Sequence, residues 1–168
     1  MIREISLDEP VKPSTQANPG VEVRGVLLPL QKTHLLLPNL TVVDVIGFRE
    51  EDPVDNSPGW LRGSVNWNQR RIPVITCEYF VHEEVGEPGY RSRIALCHSL
   101  LDDQRMPFIG ILCSSIPRLA RINDSSMQEV RVQEIMPEMM LKHVKYNAED
   151  AWIPDIEKLS QACLDLMT

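Results

Sequence analysis

Ser57-Pro-Gly-Trp-Leu-Arg-Gly-Ser-Val-Asn-Trp-Asn-Gln-Arg-Arg-Ile-Pro-Val-Ile-Thr-Cys-Glu-Tyr-Phe80 is the stretch that decides the fold. Its apolar runs, Leu61 to Trp67 and Ile72 to Phe80, flank the polar Asn68-Gln69-Arg70-Arg71, which is the pattern of two strands joined by a turn. Pro58 and Pro73 act as punctuation, because proline has no backbone N–H to give to a strand ladder. Outward from this hairpin lie Val23 to Leu30, Thr33 to Leu37, Thr41 to Phe48, Arg93 to Leu101 and Phe108 to Ser114, short apolar runs bounded by Pro, Gly, Asn or Asp. Strands this short and this regularly spaced predict an all-β architecture of barrels or a sandwich.

Thr41-Val42-Val43-Asp44-Val45-Ile46 and Val130-Arg131-Val132 are rich in β-branched residues, which pack well on a pleated surface and lose rotamer freedom in a helix, so both are expected to be strands. Asp102-Asp103-Gln104-Arg105 joins two apolar runs as the turn of an antiparallel hairpin. Asn147-Ala148-Glu149-Asp150 does the same between His143-Val144-Lys145-Tyr146 and Ala151-Trp152-Ile153. Helical spacing is confined to the end of the chain, where Ile156, Leu159, Cys163 and Leu166 form one apolar stripe behind Asp155, a natural N-cap. Three prolines and Gly20 gather in residues 8–20, so 1–20 read as a flexible leader and 21–168 as one folded domain.

A chain of 168 residues with 43% hydrophobic content has the material for a single-domain core. Its net charge of -7, with Arg70-Arg71 as the one tight basic pair, disfavours nucleic acid as a partner. Cys77, Cys97, Cys113 and Cys163 are too far apart for a Cys-x-x-Cys site and read as reduced thiols. The N-terminal residues lack a signal core, and no apolar run approaches the roughly 20 residues a membrane helix needs, so a cytoplasmic protein without direct membrane insertion is expected.

The hairpin resembles the signature of CheW-like coupling domains from bacterial chemosensory systems. That signature runs Pro, an aromatic, an aliphatic, a basic residue, Gly, two small apolar residues, Asn-Leu-Arg-Gly, a short gap and Pro-Val-Ile-Asp-Leu. The chain supplies Pro58, Trp60, Leu61, Arg62, Gly63, Asn66, Pro73, Val74 and Ile75 in that order and spacing. Val42-Val43-Asp44-Val45 is similar to the family's Val-x-Glu-Ile strand, and Pro107-Phe108-Ile109-Gly110-Ile111-Leu112 followed by Ile116 to its Gly-Leu-Leu-Val-Asp strand pair. Trp152-Ile153-Pro154-Asp155-Ile156-Glu157-Lys158-Leu159 resembles its closing Leu-Leu-Asp-Leu-Glu-Lys-Leu, so the likeness spans Val23 to Leu159.

This resemblance implies two five-stranded SH3-like β-barrels packed side by side around a shared hydrophobic seam. It also implies a non-catalytic adaptor, with no cofactor or metal, that couples the cytoplasmic tip of methyl-accepting chemoreceptors to a CheA-type histidine kinase. The leader and the divergent hairpin look most like ChpC-type proteins of type IV pilus systems, which implies control of twitching motility. Departures from the pattern fall where coupling chemistry is expected. Asn66-Trp67-Asn68-Gln69 replaces Asn-Leu-Arg-Gly, so Asn68 stands at the family's arginine and Gln69 at its turn glycine. Thr76-Cys77 replaces the family's Asp-Leu.

The resemblance places Asp44, Arg62, Asn66 and Asn68 on or beside the coupling surface. Arg70 and Arg71 join them on charge, either as a patch for an acidic partner or as the solvated tip of a hairpin. Of the hairpin's two tryptophans, Trp67 takes a core leucine position and Trp60 is expected at the interface. A metal site at Cys97-His98 is disfavoured, since adjacent strand residues face opposite ways. No Gly-x-Ser-x-Gly elbow or glycine-rich phosphate loop is present. A ligand sensor or enzyme using the cleft between the barrels is the alternative, as is a CheW-like domain that has lost one partner.

Overall fold

The computed structural model describes residues 21–82, 85–131 and 135–168; the leader 1–20 lies outside the described residues. Strands β1 (Val23–Pro29) and β2 (His34–Pro38) form the first antiparallel pair, and β3 (Val42–Gly47) follows a short 3-10 turn. The deciding hairpin is β4 (Leu61–Trp67) and β5 (Arg70–Ile75), and α1 (Glu78–Val81) comes directly after it. Beyond it lie β6 (Arg93–His98), β7 (Phe108–Cys113), β8 (Arg118–Ile122), β9 (Met127–Glu129), β10 (Met140–Tyr146), β11 (Glu149–Pro154) and the C-terminal helix α2 (Ile156–Met167).

These strands make two sheets, ordered β8-β1-β2-β11-β10-β9 and β3-β6-β7-β5-β4. The expectation of five strands in each holds for the second sheet, while the first has six because the three-residue β9 pairs with β10. Past β3 the chain turns back onto the free edge of β4. Asp52 and Ser64 exchange backbone hydrogen bonds of 2.8 Å there, and Arg49 donates to the Asn66 carbonyl at 2.8 Å, so the second sheet curls toward closure.

Strand alternation distributes the core. On β1, Val26 and Leu28 face one cluster and Leu27 another; on β2, Leu35 and Leu37 oppose Leu36 in the same way. On β6, Ala95 and Cys97 face the first cluster, while Ile94 and Leu96 face a third. Each sheet therefore has its own interior, and the faces turned away from those interiors meet in a shared seam closed by Ile156, Leu159, Cys163 and Leu164 of α2. Strands buried on both faces must be apolar along their whole length, which is why the runs read as continuous rather than alternating.

Four further expectations are corrected. The run from Ile72 to Phe80 is not one strand: β5 ends at Ile75 and Glu78–Val81 is a helical turn, so the tail turns inward and seats Phe80 against Trp60. The strand expected at 130–132 is displaced to Met127–Glu129, because pairing with β10 sets the register; Val130 still donates to the His143 carbonyl, and Val132 lies outside the described residues. On α2, Asp155 caps Lys158 N–H at 3.0 Å as expected, but Leu164 rather than Leu166 completes the buried stripe. The fourth concerns the tryptophans. Trp60 is 7% exposed and packs with Phe80 in the seam, whereas Trp67 is half-buried against the second sheet's own core, edge-on to Phe108 at 5.3 Å.

Candidate functional site

The β4–β5 hairpin is built around Gly63. Its φ is +145°, and a β-carbon there would lie 2.4 Å from the Asp52 carbonyl oxygen, so only glycine lets the Asp52 backbone reach Ser64. The β4–β5 register shifts between Leu61 and Gly63, a bulge that re-aims the strand. At the tip, Asn68 and Gln69 both have positive φ, +48° and +62°, which makes the two-residue turn that matches strand twist. The pattern's turn glycine is thus replaced without changing the class of turn, with asparagine and glutamine carrying the left-handed strain. Pro73 precedes the Val74↔Gly110 and Ile75↔Ile111 pairs, so β5 meets β7 only beyond its missing N–H.

Five of the expected site residues come together on this hairpin. Arg62 and Asn66 lie on β4, Asn68 at its tip, and Arg70 and Arg71 at the start of β5, with Asn66 directly opposite Arg71. Arg71 donates to the Ser64 hydroxyl at 2.9 Å. Asp44 is exposed on β3, the other outer strand of the same sheet, and accepts from the Val45 N–H at 2.8 Å. Trp60 is not part of this surface, because it is buried in the seam. Arg62 is partly buried and pairs with Glu51 at 2.7 Å, the glutamate side chain being only 7% exposed. Its first role is to neutralise that buried carboxylate, and removing it would leave Glu51 uncompensated.

Two features escaped the sequence reading. Arg49 joins the basic group through its bond to Asn66, brought there by the return of the chain after β3, and nothing in its neighbours announces that crossing. The second is a surface groove of about 330 Å³ lined by Tyr90, Arg91, Arg93, Ser115 and Ile116, where the chain leaves β7 in the second sheet for β8 in the first. Tyr90 and Ile116 are exposed apolar surfaces, and Arg93 donates to the carbonyls of Tyr90, Arg91 and Ser92, fixing the loop that forms one wall.

No group of three or more His, Cys, Asp or Glu side chains is arranged to hold a metal ion among the described residues. Cys97 is buried and His98 exposed, on opposite faces of β6. All four thiols are buried in the seam; burial pushes Cys113 and Cys163 up to about 12 and raises Cys77 and Cys97 further, which removes them from thiolate chemistry. A Thr-Asp-His line exists in the first sheet, but the Thr33 hydroxyl donates to Asp150 at 2.6 Å and so has its carboxylate, not the histidine, as partner. A nucleophile needs the histidine as its base, and this order does not provide one.

Two curled sheets on a common seam, with a basic hairpin on one and a groove at the crossover between them, define a two-lobed β-scaffold. Residues 24–163 match the CheW-like domain, and the chain belongs to that family, whose members are non-catalytic chemotaxis scaffolds. Among solved structures, it is similar to the scaffolding protein TtCheW from Thermoanaerobacter tengcongensis, at 16% sequence identity and a TM-score of 0.64 over 80% of this chain and 89% of that one. Comparison with curated proteins finds no match. No described helix is long and apolar enough to cross a membrane.

Proposed function

We propose that this chain is a cytoplasmic adaptor that couples the cytoplasmic tip of methyl-accepting chemoreceptors to a CheA-type histidine kinase. Family membership over residues 24–163 carries the reading. The surface chemistry supports separate contacts for the two partners. Arg49, Arg70 and Arg71 gather at one hairpin of a chain whose net charge is -7, which suits an acidic patch on a partner. The groove at the β7–β8 crossover offers Tyr90 and Ile116 to a helical segment. A doubly reversed variant, Arg70→Glu with Arg71→Glu, leaves the Glu51–Arg62 pair intact and is expected to weaken kinase or receptor capture at least about tenfold in pull-downs with purified partners. Unchanged capture of both partners removes the hairpin from the coupling surface.

A type IV pilus assignment is the finer part of the proposal. Its support is the proline-rich leader together with Asn68 and Gln69, which keep the turn while removing the family's arginine. Deleting the gene is expected to abolish directed twitching and spare swimming. Loss of swimming chemotaxis alone would assign the chain to a flagellar pathway.

A further inference from the structure

Glu149 and Asp150 open β11, and as successive strand residues they point to opposite faces of the first sheet. On the face of Leu36 and Ala151, Glu149 accepts two hydrogen bonds of 3.0 Å from Arg118 of β8, and His34 Nε2 of β2 lies 3.7 Å away. On the seam face, Asp150 accepts from the Thr33 hydroxyl at 2.6 Å and from His143 Nε2 of β10. The imidazole of His143 lies flat on Trp152, with centroids 3.9 Å apart and planes at 3°. Lys145, directly opposite Asp150, is the remaining charge at this corner. The same corner is where backbone pairing is thinnest, since β11 and β2 share a single register pair, Trp152↔Leu35.

The chemistry of the partners points to one tautomer for each ring. His34 Nδ1 is 3.1 Å from the Asp150 carbonyl oxygen, which can only accept, and its Nε2 is 3.5 Å from an Arg118 nitrogen, which can only donate. His143 Nε2 meets a carboxylate, which accepts, while its Nδ1 is buried with no partner; a bare lone pair there is cheaper to bury than an N–H. We propose that the Glu149–Asp150 corner is a two-sided latch that holds the β10–β11 hairpin, and α2 behind it, on β2, with His34 fixed as the Nδ1–H tautomer and His143 as the Nε2–H tautomer. Both histidines are positioning residues, and the latch is separate from the coupling surface on the second sheet.

Two-bond ¹H–¹⁵N spectra of the full chain near neutral pH read the tautomers directly. The expected result is opposite tautomers, with Nε2 bare on His34 and Nδ1 bare on His143; matching tautomers, or the reverse pair, overturn the assignment. Amide hydrogen exchange then tests the latch. Thr33→Val and His143→Asn are expected to speed exchange in β11 and α2 at least about tenfold and leave the β4–β5 hairpin unchanged. His143→Gln carries its amide donor at the Nε2 position and is expected to stay within about twofold of the unaltered chain. Equal behaviour of the Gln and Asn variants refutes the latch, and should the Asn variant fail to fold, Thr33→Val decides in its place.

Discussion

Gly63 carries a constraint that no other residue type satisfies: φ of +145° and 2.4 Å between the site of a β-carbon and the Asp52 carbonyl oxygen. Gly63→Ala must therefore either break the Asp52–Ser64 pair or strain the backbone, and a loss of about 2 kcal/mol or more in urea unfolding is expected. Gln69 is the converse case, a side chain at φ +62° where glycine sits without strain. Gln69→Gly produces the Asn-Gly dipeptide favoured by this turn and is expected to add about 1 kcal/mol in the same measurement. Burial raises Glu78 above the ordinary carboxylate range, an effect only partly offset by the Gln31 N–H it accepts at 3.2 Å. A folded state that prefers the protonated acid is stabilised below the unfolded value and loses that contribution as pH rises through the raised one. Glu78→Gln should accordingly melt higher than the unaltered chain at about pH 7 and equal to it at about pH 4. The residue scale also explains why Arg62 is a poor probe of binding: its reversal would place a second acid beside the buried Glu51.

At the scale of elements, α2 is what closes the seam, and its stripe separates two leucines by consequence. Leu159 is fully buried, so Leu159→Ala is expected to cost about 2–5 kcal/mol in thermal or urea unfolding. Leu166 is 39% exposed, and its alanine variant should stay within about 0.5 kcal/mol of the unaltered chain. Local signals made most elements legible: β4 has the residues its pattern predicts, Asp155 caps α2, and the turn expected at Asn147-Ala148-Glu149-Asp150 joins β10 to β11, narrowed to Asn147-Ala148 because Glu149 and Asp150 already pair in β11. What sequence pattern could not reach was set by contacts distant along the chain. The tail after Ile75 has strand-like residues, yet it turns into α1 because Trp60, from the other side of the hairpin, covers Phe80. The same contact draws Trp60 into the seam, against its expected place at the interface, while Trp67 packs half-buried on the second sheet's own core beside Phe108. Arg49 and the groove at Tyr90 and Ile116 depend on where the chain crosses between distant strands, which no local periodicity encodes.

The whole molecule is two β-lobes whose outward faces fuse into one core, so the lobes cannot separate without exposing the seam. The four thiols inside it report that opening. They should be inert to a thiol reagent at about pH 8 in the native chain and all react once urea unfolds it; fast reaction of Cys97 or Cys113 in the native state would contradict a closed seam. A shared core suits an adaptor, because it fixes the separation between the hairpin on the second sheet and the groove at the β7–β8 crossover. In the proposed function both partners are held at once. Its most direct test is cosedimentation of a purified CheA-type kinase with receptor-bearing membranes, with and without this chain. The kinase is expected to pellet in proportion to added chain, and Arg70→Glu with Arg71→Glu to reduce the pelleted fraction; kinase sedimentation indifferent to the chain would rule out simultaneous coupling.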